Sequence, residues 1–204
     1  MAPIARKDRP AFEKIPLCYP ASVGKRGRSI LEIGPGRGDF LFYLADENKD
    51  AKIVAVELKS KRYFKLIDRI KKRGLENVQL IQADGRMVIA DIFGAESLNE
   101  IHINFPDPWP KRGHTKNRLV NESFAKDCER ILAKGGVLSI ITDAKFYADD
   151  ILETFKHTRL TSLPREDKDF FPTFFAEKWK REGRPFFWMK WIKEASSPSS
   201  IKQI

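Results

Sequence analysis

Apolar residues in this chain gather in short unbroken runs, separated by segments with helical spacing. Ser29-Ile-Leu-Glu-Ile33 predicts a first strand, and Leu41, Leu44 and Ala45 mark the helix after it. Lys52-Ile-Val-Ala-Val-Glu57 predicts a second strand; Tyr63, Leu66, Ile67 and Ile70 then give a helix over 60–73 one apolar face. Strands are expected over 78–83, 101–104 and 137–143, with helices over 119–133 and 144–156. Gly135-Gly136 reads as the stop of the first of these helices. Short strands over 159–163 and 186–192 complete a set of seven, and the aromatic clusters over 170–179 and 186–191 read mostly as core. Strands alternating with helices predict an α/β fold, a mostly parallel seven-stranded sheet with helices on both faces. The expected domain runs over 28–194, between a basic N-terminal extension (1–27) and a disordered tail (195–204). Phe12, Ile15, Leu17 and Tyr19 of the extension could pack over that domain.

A length of 204 residues suits one domain with a sizeable core, and the net charge of +10 favours a polyanionic partner. Cys18 and Cys128 form neither a disulfide framework nor a metal-ligand pattern, so no metal is expected. Cys128 shares an apolar helix face with Phe124, Ile131 and Leu132, which assigns it to packing. No run approaches the roughly 20 apolar residues of a membrane span. The N-terminus lacks a secretory stretch, and a cytoplasmic location is expected.

Chemistry collects at the strand ends. The first strand runs into Gly34-Pro-Gly-Arg-Gly38 and a helix, the strand–glycine turn–helix arrangement of nucleotide binders. Gly34, Gly36 and Gly38 would let a ligand approach the backbone closely. The spacing is not that of dinucleotide binders, and Glu32 beside the turn would repel a pyrophosphate but attract a cation. Those two features favour S-adenosylmethionine, which carries an ammonium and a sulfonium, over NAD; a purely structural acid beside a glycine turn is the plainer alternative. Glu57 ends the second strand at the offset where an acid reaches ribose hydroxyls. Asp84 follows the third, where it could accept from an adenine amine beside Ala83, Met87 and Val88. His102 alternates with isoleucines and reads as packed. The basic positions of the 60–73 helix read as a solvated face rather than an RNA contact.

The fourth strand delivers Asn104-Phe-Pro-Asp-Pro-Trp-Pro-Lys111, followed by Arg112, His114, Lys116 and Arg118. Three prolines stiffen this loop, and an acid and an aromatic beside a basic ribbon suit a base on a phosphate backbone. A rigid loop with a solvated charge run would carry the same pattern.

Together these residues resemble a class I S-adenosylmethionine-dependent methyltransferase, with its Rossmann-like fold. The FPDPWPK stretch, the run to Val120, Thr142-Asp143 and the Thr173-Phe-Phe175 segment resemble the bacterial tRNA (guanine-N7)-methyltransferase family, over about Ile30 to Trp191. The resemblance implies methyl transfer to guanine N7 in the tRNA variable loop, with tRNA as partner. It implies that Glu32, Glu57, Asp84 and Asp107 contact the cofactor and that Asp107 is also the active-site acid. Lys111, Asp143 and the Thr173 segment would contact the guanine nucleotide. One departure stands out: Ala176 occupies the acid position of the family's T-x-[FY]-E pattern, and Glu177 follows it. Glu177 either substitutes after a one-residue shift or the contact is lost. The alternative readings are a catalytically idle or differently targeted RNA-binding methyltransferase homologue and, against the glycine spacing, an NAD-dependent oxidoreductase.

Overall fold

The computed structural model describes residues 27–164 and 173–195. Its strands are β1 (Ser29–Ile33), β2 (Lys52–Glu57), β3 (Val78–Gln82), β4 (Leu98–Asn104), β5 (Leu132–Thr142), β6 (Thr161–Leu163) and β7 (Phe187–Ile192). They form one sheet in the order β3-β2-β1-β4-β5-β7-β6. The first five pair in parallel, and β7 runs antiparallel between β5 and β6. The helices are α1 (Asp39–Glu47), α2 (Ser60–Arg73), α3 (Gly85–Asp91), α4 (Glu122–Ile131), α5 (Lys145–Phe155) and α6 (Phe174–Arg181).

Unbroken apolar strands need both faces covered, and they have it. Ile30, Ile53 and Ala55 point to one side and pack with Leu41, Phe42, Leu66 and Ile70 of α1 and α2. Their neighbours Leu31, Val54 and Val56 point the other way, into a larger core with Val88, Phe124, Cys128, Tyr147 and Ile151 of α3, α4 and α5. Each such fully buried aliphatic side chain contributes about 1.5–3 kcal/mol relative to exposure. Cys128 is completely buried, as the periodicity implied.

Three local readings of the sequence need correction. The glycine pair at 135–136 does not stop a helix. α4 ends at Ile131 because Leu132 turns extended (φ −65°, ψ 133°) and pairs with Leu98. Pairing resumes at Glu100 with Val137, so the residues between bulge out of the ladder. Gly135 takes φ 76° there, and a Cβ on Gly136 would lie 2.8 Å from the Ala133 carbonyl and 3.1 Å from that of Leu98. Second, β3 is followed by a short helix the periodicity did not reveal, α3, capped by Asp84. Third, Phe174 and Trp179 belong to α6, where Phe174 is 39% exposed and Trp179 is only partly buried, instead of filling a core.

Residues 1–26, 165–172 and 196–204 lie outside the described residues, and with them the expectations for Cys18, for nearly all of the N-terminal extension and for all but the first residue of the tail. No described helix is long and apolar enough to cross a membrane.

Candidate active site

The strand order reverses at β1, whose neighbours are β2 and β4, and ligands of open α/β sheets bind at the carboxyl ends flanking such a point. Glu32 of β1 lies there, beside His102 of β4 in the register and 1% exposed. Burial, then the charges of Asp39 and Glu57, push its carboxyl up to about 8 from an ordinary 4.5. The side-chain amide of Asn104, at the end of β4, draws that value back somewhat. The two side chains are close enough for that influence but not aligned as a hydrogen bond: Glu32 Oε2 and Asn104 Nδ2 are both buried without a hydrogen-bond partner among the described residues. Each orphaned group costs about 1–3 kcal/mol, a cost that a ligand bound in the cleft could relieve.

The acids at the next two strand ends are already engaged. Glu57 is 3% exposed; its Oε2 accepts from the Gly36 amide (3.2 Å) and its Oε1 from that of Lys59 (2.8 Å), so it holds the glycine turn in shape. Asp84 Oδ1 accepts from the Arg86 backbone amide (2.9 Å) and Nε (3.0 Å), and Oδ2 from Nη2 (2.6 Å). Burial alone would raise its pKa, but the bonds and charge of Arg86 outweigh it and lower the value. Lone pairs remain on both carboxylates for a ligand's donors.

The loop after β4 carries backbone strain that the sequence could not announce. Phe105 (φ 52°) and Trp109 (φ 44°) both occupy the left-handed region, at a cost on the order of 1–3 kcal/mol each. The strain is held by Phe105 N donating to the Ile141 carbonyl (2.8 Å) and by Arg118, whose Nε donates to the Pro108 carbonyl (2.9 Å) and Nη2 to that of Trp109 (3.3 Å). Arg118 also pairs with Asp150 and stacks against Phe146 and Tyr147. Its guanidinium is therefore a clasp on the loop and not, as the basic run suggested, a free contact for phosphate. Lys111 precedes a short 3-10 helix over Arg112–Asn117, and Trp109 packs edge-on to His114.

These elements enclose a two-part cleft. A compartment of about 260 Å³ is lined by Glu32, Gly34, Gly36, Asp107, Asp143 and Thr173. A second, of about 450 Å³, is lined by Gly34, Glu57, Asp84, Asp107 and the apolar Leu58, Ala83 and Leu119. Gly34, Arg62 and the loop from Asn104 to Asp107 line both. The structure therefore brings together Glu32, Gly34, Gly36, Glu57, Asp84, Asp107, Asp143 and Thr173. It leaves out Gly38, Lys111 and Glu177. Gly38 takes φ 86° at the start of α1, and a Cβ there would lie 2.5 Å from Leu66 Cδ2, so the glycine serves helix packing. Lys111 is exposed beside the cleft. Ala176 is 1% exposed while Glu177 points to solvent, so the acid one residue late does not reach the cleft.

Thr173 caps α6 by accepting from the Ala176 amide (3.1 Å), and Phe174 N donates to Asp39 Oδ2 (3.0 Å), which fastens α6 to the start of α1. Asp143 pairs with Arg184 (2.9 Å), whose guanidinium lies 3.8 Å over the Trp179 ring. Arg62, read from the sequence as part of a solvated basic face, instead lines both compartments, and Asn104, Trp179 and Arg184 were not marked as site residues, because membership depends on which elements are neighbours. Behind the first compartment lies a third cavity of about 420 Å³, which shares only the walls Phe40 and Asn104 with it. His102 faces that cavity, bonded to Glu100 (2.9 Å) and edge-on to Phe40.

A family model described as "Putative methyltransferase" matches residues 26–189. A tRNA (guanine-N(7)-)-methyltransferase of Thermotoga maritima is 29% identical over 179 residues, 86% of this chain and 57% of that protein. One of Bacillus licheniformis is 30% identical over 164 residues, 77% of this chain and 76% of the relative. The chain thus spans little more than half the length of the first of these relatives and about three quarters of the second. Among solved structures, an S-adenosylmethionine-dependent methyltransferase from Aquifex aeolicus superposes with a TM-score of 0.58 at 14% identity, covering 83% of this chain and 84% of that one. That likeness fixes the fold as the Rossmann-like class I type.

Proposed function

From a chain that belongs to this methyltransferase family, we propose the activity of a tRNA (guanine-N7-)-methyltransferase that uses S-adenosylmethionine. The observation that carries the proposal is the orphaned pair at the floor of the cleft. Glu32 Oε2 and Asn104 Nδ2 are buried, unmet and adjacent to the glycine turn, and an acceptor there suits an ammonium group. The amino-acid end of S-adenosylmethionine fits the smaller compartment and its adenosine the larger, where Glu57 and Asp84 offer lone pairs beside apolar walls. When bound, the cofactor supplies a methyl group activated by a sulfonium.

Guanine N7 bears a lone pair and no proton, so the protein needs no strong general base. Its task is positioning, which in well-oriented systems lowers barriers by several kcal/mol. Asp107, common to both compartments, is the group to accept from the guanine N1–H and N2 amino edge and to stabilise the cationic product. Asp143, held by Arg184, and Thr173 border the guanine side of the smaller compartment. Lys111 at the exposed rim is suited to a backbone phosphate.

The test mixes purified protein, labelled S-adenosylmethionine and unmodified tRNA, then identifies the labelled nucleoside after digestion. 7-Methylguanosine is the expected product, and Asp107→Ala should abolish it while leaving the thermal transition unchanged. Label in another nucleoside would refute the substrate, and an active Asp107→Ala would refute the residue's role. One observation favours a competing reading, an idle tRNA-binding homologue: Ala176 is buried where the family pattern has an acid, and Glu177 is exposed. Cofactor binding and tRNA binding without any transfer would establish that reading instead.

A further inference from the structure

Four arginines line the two compartments, and three of them are engaged. Arg37 lies 4.1 Å over the Phe174 ring, Arg86 is bound to Asp84, and Arg184 to Asp143. Arg62 differs. It lines both compartments, and its side chain makes no hydrogen bond or ion pair with a described residue. It projects from the first turn of α2, half-buried, and its Nη1 comes within 4.0 Å of where a Cβ on Gly36 would lie. The guanidinium therefore hangs over the glycine turn beside the Asn104–Asp107 loop. Glu57, a strand-end acid of the same compartment, already takes two backbone amides on its own oxygens.

A guanidinium has five donors and no acceptor, and in a partly dry cleft its desolvation is offset most fully by an anion. The fork geometry fits a planar or tetrahedral oxyanion with two parallel bonds. We propose that Arg62 is the oxyanion anchor of the cleft, a residue that positions substrate or cofactor by binding a carboxylate or phosphate at the junction of the two compartments. The inference rests on the methyltransferase reading. Its logic is charge matching: Glu32 answers the ammonium of a zwitterionic amino-acid group, and the group's carboxylate then needs a cation of its own. The other oxyanion that can arrive at the junction is a phosphate flanking the target guanine.

Calorimetry on the full chain separates these sources without turnover. Arg62→Gln and Arg62→Lys are compared with wild type for S-adenosylhomocysteine, which has the amino-acid group, and for 5′-methylthioadenosine, which lacks it. If the anion is the carboxylate, Arg62→Gln weakens S-adenosylhomocysteine by roughly tenfold or more, as for loss of a charge-assisted pair, and leaves 5′-methylthioadenosine unchanged. Arg62→Lys recovers part of the loss. If the anion is an RNA phosphate, both small ligands bind Arg62→Gln as they bind wild type. In that case affinity for tRNA falls, and the slope of log affinity against log salt shrinks by about one contact's worth. Unchanged affinities for all three ligands in Arg62→Gln would overturn the anchor. A wild-type protein that binds neither small ligand would overturn the methyltransferase reading and this inference with it.

Discussion

A glutamate in an unfolded chain ionises near 4.5, whereas Glu32 holds its proton to about 8. Between those values the folded state keeps a proton that the unfolded state has lost, so stability falls as pH rises through the window. The slope approaches about 1.4 kcal/mol per pH unit at its steepest. Glu32→Gln removes that liability. Its melting temperature should exceed wild type's at pH 8 and approach it near pH 4, while S-adenosylhomocysteine binding is lost. Scanning calorimetry at the two pH values, with a binding isotherm at each, checks this; a variant less stable than wild type at pH 8 would contradict the account. Because an ammonium ligand requires the ionised carboxylate, wild-type affinity should climb with pH up to about 8. This residue was legible in the sequence as an acid beside a glycine turn. Its partner Asn104 was not, since only the adjacency of β1 and β4 brings the two together.

At the scale of elements, the Phe105–Trp109 loop stores strain that Arg118 contains. Arg118→Lys retains a charge for Asp150 but cannot span the Pro108 and Trp109 carbonyls as a guanidinium does. Turnover should fall by roughly 10- to 100-fold, as expected when a loop that positions a reacting group is loosened, while the melting temperature drops by only a few degrees. Steady-state kinetics beside a thermal scan measures both, and unaltered kcat would remove the clasp from the argument. The elements legible in the sequence were those with an unambiguous period: the continuous apolar strands β1 and β2, and α2 with its single apolar stripe. The start of β5 was misread because a glycine pair serves equally at a helix end and in a bulge, and only the contact with Leu98 distinguishes them. α3 escaped notice because a seven-residue helix barely completes two turns of pattern.

Across the whole molecule, the net charge of +10 predicts how a polyanion should bind. If about four phosphates are neutralised, affinity for tRNA should fall by about two orders of magnitude between 50 and 200 mM salt. Binding of S-adenosylhomocysteine, confined to the cleft, should move little over the same range. Filter binding and calorimetry across a salt series test the contrast, and a flat tRNA response would mean that the basic surface is not the docking face. The separation of roles has an architectural side. The partition between the cleft and the cavity behind it consists of Phe40 and Asn104, a wall one side chain thick. A carboxyl kept protonated by dryness is only as dry as the thinnest wall around it. A substitution on the far side of that partition that admitted water should therefore lower the pKa of Glu32 and retune the site without altering a single group that faces the cleft.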